Sequence, residues 1–216
     1  MGAVLCLTLA GLAGQFSKYF LGHARLGGFV YMFGLDEEGN VPTWYSSMTL
    51  FVCAVLLLVN GILAKKNGLG YQGHWLLLSA VFLYLSIDEF CTIHEKFIKS
   101  LRIFFHATEY FYSSWVIPAL ILVPAFGLLY VKFLKHLPKR VRLEFILAGI
   151  IYVGGALGME LIEGHYDYHF GSENFYYALF VVLEEFMEMT GVVIFIHALL
   201  SHLEAVTGPD GLLLKI

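Results

Sequence analysis

The chain has 216 residues, of which 59% are hydrophobic and only 14% are charged, and its formal net charge is −4. Soluble globular domains carry roughly 25% charged residues, so the composition excludes an ordinary soluble domain and indicates an integral membrane protein. The sequence contains no nucleotide fingerprint or P-loop, and no loop is long enough to hold a second core. We therefore expect the lipid bilayer, and no nucleic acid, as a partner.

Six apolar segments predict an all-α, multi-pass transmembrane bundle that forms a single domain over residues 1–216. A helix needs about 20 apolar residues to cross a hydrocarbon core about 30 Å thick. The first segment is doubtful, because its apolar part ends near Gln15 and Lys18. The alternative is five helices after a cleaved leader, although the N-terminus lacks the positive charges of a signal peptide. The predicted helices are approximately 2–20, 46–64, 75–94, 107–134, 143–163 and 175–200.

The distribution of charge predicts that both termini are cytoplasmic, because Lys and Arg in short loops favour that side. One side of the six-helix arrangement carries eight of the thirteen Lys and Arg residues: Lys65, Lys66, Lys132, Lys135, Lys139, Arg140, Arg142 and Lys215. Among the acids, only Glu144, Glu204 and Asp210 lie on that side. The other fourteen of seventeen acids lie on or near the exoplasmic side, which is therefore predicted to be rich in carboxylates.

The third and fourth predicted helices both carry acids and histidines at their exoplasmic ends. Asp88 and Glu95 are seven residues apart in LSIDEFCTIHEK, so they share a helix face, with His94 beside them and Glu89 about 100° away. His106 and Glu109 form an i, i+3 pair at the start of the fourth helix. That pair lies in an aromatic belt near the membrane surface.

The fifth and sixth predicted helices place further carboxylates at a similar depth. Glu160 and Glu163 form an i, i+3 pair after the glycines of YVGGALGME, which favour close helix approach. On the sixth helix, Glu184 and Glu188 are four residues apart and Glu185 and Glu188 are three apart, so each pair is predicted to share a helix face.

The segment GHYDYHFGSEN follows the fifth predicted helix, and its His165, Asp167 and His169 alternate with tyrosines. A spacing of two predicts that these residues share one side of an extended segment, where they cap the site or bind metal from outside. The alternative is an ordinary polar loop.

Ionised carboxylates at this depth require compensation, since each costs about 2.5 to 3.5 kcal/mol near the bilayer centre. The predicted spans offer no Lys or Arg at that depth, which leaves protonation or a metal ion. Helices that each contribute Glu or Glu/His pairs can bind two metal ions, although no Glu-x-x-His motif is present. The predicted ligands of one or two Fe, Mn or Zn ions are Asp88, His94, Glu95, Glu109, Glu160, Glu163, Glu184 and Glu188.

The predicted function is a metal-dependent membrane oxidoreductase or hydrolase whose site faces the exoplasmic side and takes a small molecule from the lipid phase. Glu89 and Glu185 adjoin predicted ligands but are turned away, so they are candidates for the catalytic acid or base. One alternative is a transporter subunit in which Asp88, Glu160 and Glu188 carry protons or divalent cations. Another is a structural or assembly subunit that keeps its acids protonated and contacts a membrane protein or another copy of the chain.

Overall fold

The computed structural model describes residues 1–207, and those residues form helices joined by short loops. They contain no strand, so the all-α prediction is confirmed for that part of the chain. Asp210 and Lys215, which entered the orientation argument, lie outside the described residues. The helices are α1 (Gly2–Phe20), α2 (Phe29–Phe33), α3 (Val41–Lys66), α4 (Gln72–Cys91), α5 (Ile93–Phe105), α6 (Val116–His136), α7 (Lys139–Val153), α8 (Glu160–Phe170) and α9 (Phe175–Thr207).

Within residues 1–207, five helices are long and apolar enough to cross a membrane, as expected of a multi-pass membrane protein. They are Gly2–Phe20, Val41–Lys66, Gln72–Cys91, Val116–His136 and the continuous segment Lys139–Phe170. The sixth predicted span coincides with α9, whose 33 residues include three glutamates within five positions. A crossing by α9, and the side on which each terminus lies, stay predictions.

The second predicted helix is longer than expected, because α3 begins at Val41 and not near residue 46. The Oδ1 atom of Asn40 accepts a hydrogen bond from the backbone N–H of Thr43 at 3.1 Å, which satisfies one of the free donors of the first turn. Pro42 fits in that turn, where its missing N–H costs nothing.

The predicted start of the helix 107–134 is wrong, because α6 begins only at Val116. Two residues in the preceding segment have left-handed backbone conformations, His106 with φ 49° and Glu109 with φ 51°. An α-helix of L-residues cannot continue through such positions. His106 therefore ends α5, Glu109 lies in a 3₁₀ turn, and the expected i, i+3 pair does not form.

α7 and α8 form one continuous helix of 32 residues, joined by the π-helical segment Gly154–Met159. At 1.5 Å per residue this helix is about 48 Å long, which exceeds a hydrocarbon core of about 30 Å. The basic residues Lys139, Arg140 and Arg142 begin α7 at one end. The far end of α8 therefore extends beyond the apolar part of the bundle.

Helix α9 is central to the packing, because it contacts α1, α3, α7, the π-helical segment and α8. Its second half packs in an aromatic core in which the rings of Phe145 and Phe195 lie 4.6 Å apart. Its first half packs through Val182 and Met189 against a smaller core that includes Val4 of α1. This arrangement brings the three glutamates of α9 between the other helices that carry acids.

Candidate metal centre at the acidic end of the bundle

Seven carboxylates of the helices α4, α8 and α9 lie at the same end of the bundle, and we call them the acidic cluster. Asp88 and Glu163 are only 8% and 3% exposed, and the other five are half-buried. The members are Asp88, Glu89, Glu160, Glu163, Glu184, Glu185 and Glu188.

Asp88 binds His94 through both carboxylate oxygens. Its Oδ1 accepts a hydrogen bond from the His94 backbone N–H at 3.0 Å, and its Oδ2 lies 2.7 Å from the His94 Nδ1 atom. This pairing is possible because Thr92, with φ 50°, ends α4 and breaks the helix before α5 begins at Ile93. The same break places Glu95 on another helix than Asp88, so the predicted shared face of Asp88 and Glu95 is wrong.

The Asp88 carboxylate also raises the pKa of His94. Burial lowers the pKa of His94, but the hydrogen bond and the negative charge of Asp88, together with Glu95 and Glu160, outweigh it, so the pKa is raised above 6.5. When Nδ1 donates its proton to Asp88, Nε2 is the ring nitrogen that can bind a metal ion, as in metal sites where a carboxylate orients the histidine.

Glu160 is held by an aromatic side chain from the segment between α5 and α6. The indole N–H of Trp115 donates to Glu160 Oε1 at 2.8 Å. The Trp115 ring also lies 4.8 Å from the ring of His94, measured between centroids. Trp115 thus places the Glu160 carboxylate near the Asp88–His94 pair, although the two acids come from different helices.

The glutamates of α9 lie against acids of the neighbouring helices. The Glu184 carboxyl group is adjacent to that of Glu163 on α8. Glu185 and Glu188 are both within electrostatic range of Glu89 on α4. Close packing allows this approach: a Cβ atom added to Gly155 would lie 3.0 Å from the backbone oxygen of Glu184.

The loop between α2 and α3 adds carboxylates that the sequence analysis did not assign to the site. Glu38 lies next to Glu95 at the start of α5, and burial of the carboxyl group, followed by the Glu95 charge, raises the pKa of Glu38 to about 7. Burial and the neighbouring Glu37 similarly raise the pKa of Asp36 to about 6. No local pattern indicates this contact, because it joins residues more than fifty positions apart.

Positive side chains do not compensate the acidic cluster. Within residues 1–207, the ion pairs of Lys or Arg with acids are Lys18–Glu173 and Arg140–Glu144, and both lie outside the cluster. The nearby Arg102 instead donates from Nε to the backbone oxygen of Tyr112 at 2.8 Å. The Oε1 atom of Glu163 is buried, and apart from a neighbouring carboxyl group that takes up a proton, the described residues place no hydrogen-bond donor next to it.

The predicted metal ligands fall into two separate groups in the structure. In the acidic cluster the carboxylates are neighbours, but no three donor atoms of the described residues lie within 4.8 Å of one another there. Glu109 is not part of this cluster: its carboxylate, with His165 and His169, forms the one described group of three that meets this distance. Glu95 is exposed at the edge, beside Glu38.

Comparison with known proteins identifies the family but no activity. A family model described as a domain of unknown function, DUF8692, matches residues 2–203, a range that covers nearly the whole described chain. No curated protein and no solved structure matches the sequence. The chain therefore belongs to the DUF8692 family.

Proposed function

We propose that the protein is a metal-dependent membrane enzyme that binds one or two Fe, Mn or Zn ions in its acidic cluster and acts on a small molecule from the lipid phase. One observation carries the proposal: seven carboxylates share one end of the bundle, buried or half-buried, without a Lys or Arg partner among residues 1–207. Carboxylates so close together repel one another unless they bind protons or a cation.

A metal ion would account both for the repulsion and for an unpaired buried atom. The buried Glu163 Oε1 atom has no hydrogen-bond donor among the described residues unless the adjacent Glu184 carboxyl group is protonated. Buried polar atoms in folded proteins are seldom left unpaired. A cation bound by Glu163 and its neighbours would supply the missing partner and offset the repulsion.

We assign metal binding and the orientation of a ligand to different residues of the cluster. Glu160, Glu163, Glu184 and Glu188 would bind the ions together with Nε2 of His94, while Asp88 orients the imidazole. Carboxylate with imidazole is a donor set that suits Fe, Mn or Zn. Such an ion can activate water or oxygen, or polarise a carbonyl or phosphoryl group.

Glu89 and Glu185 lie within electrostatic range of each other on α4 and α9. We assign them the transfer of protons to and from the substrate, because they adjoin the proposed ligands. The site would face the exoplasmic side, as the distribution of Lys and Arg predicts.

The cation-transport alternative has less support from the arrangement of polar groups. A path for protons or cations requires polar groups along the whole crossing. The opposite half of α9 instead packs in the aromatic core, with Trp75 against Phe133 at 4.8 Å between ring centroids. The polar pair buried there, His202 and Asn60, is joined by a hydrogen bond of 2.6 Å.

The decisive experiment is the metal content of the full-length protein, purified in detergent without chelators and measured by inductively coupled plasma mass spectrometry. The wild type is compared with Glu160→Gln and Glu188→Gln. The matched control is Glu204→Gln, which removes an exposed acid from the same helix as Glu188.

We expect about one or two equivalents of one transition metal in the wild type and in the control. Both cluster variants should contain at least one equivalent less of this metal than the wild type, while they keep the far-ultraviolet circular dichroism of the wild type. A wild type without metal would overturn the proposal and favour a protonated carboxyl network. Equal loss of metal in Glu204→Gln would show that the metal is bound outside the cluster.

A further inference from the structure

We propose a second metal site, which we call the rim site, formed by Glu109, His165 and His169 and suited to Zn²⁺ or a similar divalent transition metal. One donor atom from each of these residues lies within 4.8 Å of the other two, which no other described group of three achieves. The inference does not depend on metal in the acidic cluster, because the rim site uses other side chains.

The helical conformation of residues 160–170 creates the histidine pair. The sequence allowed two interpretations of this segment, an extended stretch in which His165, Asp167 and His169 share one side and an ordinary polar loop, and both are wrong because the segment is helical. In α8, His165 and His169 are four residues apart and share a face, with ring centroids 4.6 Å apart. Asp167, two residues from each, points to the other side of the helix.

The loop that carries Glu109 is fixed over α8 by close backbone contact. A Cβ atom added to Gly164 would lie 3.2 Å from the backbone nitrogen of Ser113 and 3.3 Å from the backbone oxygen of Tyr110. A larger residue at this position would require the loop to shift by a few tenths of an ångström. The approach places Glu109 beside the histidine that follows Gly164 in the chain.

Two hydrogen bonds attach the same loop to α5. Arg102 Nε donates to the backbone oxygen of Tyr112 at 2.8 Å, and Ser114 Oγ donates to the backbone oxygen of Ile98 at 2.8 Å. The guanidinium carbon of Arg102 also lies 3.4 Å from the centroid of the Tyr112 ring. The loop is thus held on both sides, so the position of Glu109 is fixed before any ligand binds.

The imidazole of His165 is held in one orientation and lacks a partner. It stacks on the ring of Tyr110, with 4.2 Å between centroids and 10° between planes. Its Nδ1 atom is buried and has no hydrogen-bond partner among the described residues. A buried imidazole nitrogen without a partner is unusual in a folded protein, and a metal ion or a metal-bound water would supply the partner.

The geometry of the rim site is close to that of a zinc site. Two ligands of a tetrahedral zinc ion, each about 2.1 Å from the metal, are about 3.4 Å apart. Glu109 and His169 are exposed, so small rotations of their side chains can close the donors from within 4.8 Å to that distance. Two imidazoles and one carboxylate fill three positions, and the fourth stays open to water, as in catalytic zinc sites.

The rim site can be tested with Zn²⁺ and with Co²⁺ as a spectroscopic probe. The full-length protein is placed in lipid nanodiscs without a polyhistidine tag. Zn²⁺ affinity is measured by calorimetry, and Co²⁺ coordination by visible absorption. The variants are Glu109→Gln and His169→Gln. The control is Asp167→Asn. Like Glu109→Gln it removes one negative charge, but from the side of α8 that faces away from the rim site.

We expect both rim variants to weaken Zn²⁺ binding by about 100-fold or more, because loss of a ligand costs at least as much as loss of its supporting partner. The visible absorption of bound Co²⁺ should be absent in both rim variants. Asp167→Asn should bind as the wild type does. Equal binding by wild type and His169→Gln, or equal weakening by Asp167→Asn and Glu109→Gln, would overturn the rim site.

Glu188→Gln separates the rim site from the function proposed for the acidic cluster. This variant should keep Zn²⁺ binding at the rim site even if it loses the metal of the acidic cluster. Loss of the rim signal in Glu188→Gln, with His169→Gln unaffected, would assign the bound Zn²⁺ to the acidic cluster and overturn the rim site.

Discussion

Replacement of Gly191 by alanine should disturb the contact between α7 and α9 that sets the acidic cluster. A Cβ atom added at Gly191 would lie 2.9 Å from the backbone nitrogen of Tyr152 and 3.0 Å from the backbone oxygen of Ala148. Real Cβ atoms do not approach backbone atoms so closely, so the two helices must separate. Gly149 on α7 provides the matched control, because an added Cβ atom meets nothing within 4 Å there.

The magnitude follows from two opposing effects. Alanine in place of glycine in a helix interior gains about 1 kcal/mol of helix propensity, and both variants share this gain. Overpacking costs about 1–3 kcal/mol and applies to Gly191→Ala alone. The unfolding free energy of Gly191→Ala should therefore be about 1–3 kcal/mol below that of Gly149→Ala.

The assay is reversible unfolding in mixed micelles with increasing sodium dodecyl sulfate, followed by far-ultraviolet circular dichroism. Since Glu188 is less than one helical turn from Gly191, the metal content of Gly191→Ala should also fall below that of Gly149→Ala. Equal unfolding free energies for the two variants would refute the close approach of α7 and α9 at Gly191.

The remaining predictions concern single side chains around the two proposed sites. In the metal-free protein, Asp88→Asn should lower the pKa of His94, because burial then acts without the Asp88 charge; NMR titration of labelled histidine measures this, and an unchanged pKa would contradict the pairing. The pKa of Glu38 is higher in the folded protein, about 7, than its usual 4.5. Its contribution to stability is therefore full below pH 4.5 and is lost as the pH rises to about 7. Glu38→Gln should flatten this part of the profile of melting temperature against pH, and an unchanged slope would count against the Glu38 contact. Gly164→Ala should weaken Zn²⁺ binding at the rim site by about 10-fold or more, because the loop must move away from α8; calorimetry with unchanged affinity would show that the loop contact is not needed.

The acids of the candidate site could be found from the sequence because each lies in or beside an apolar segment. Glu160 with Glu163, and Glu184 with Glu188, share helix faces in the structure as the spacing predicted. Their partners could not be found in the same way. Trp115 donates to Glu160 over a separation of 45 residues, and its surroundings resemble an interfacial belt of aromatic residues.

The sequence-based predictions are wrong in two kinds of place: where a predicted helix is broken, and where a predicted loop is helical. Thr92, His106 and Glu109 adopt positive φ angles. The spacing of apolar residues in the sequence does not predict these angles. They break helices that the hydrophobic pattern would continue. The polar segment that ends at His169 stays helical, because a helix can extend beyond the hydrocarbon when water or side chains satisfy its outer turns.

The sequence by itself determined that the chain is helical, with segments long and apolar enough to cross a membrane and with carboxylates toward one end of its helices. The physical reason is that apolar length and residue spacing act within one segment, where 1.5 Å and 100° per residue fix length and face. Only the tertiary structure decided which faces meet. The left-handed turn at Thr92 brought His94 to Asp88, and the close approach at Gly164 brought Glu109 to the histidines of α8. These contacts depend on helix breaks and helix separations, which are set by packing between distant segments and leave no periodic pattern in the sequence.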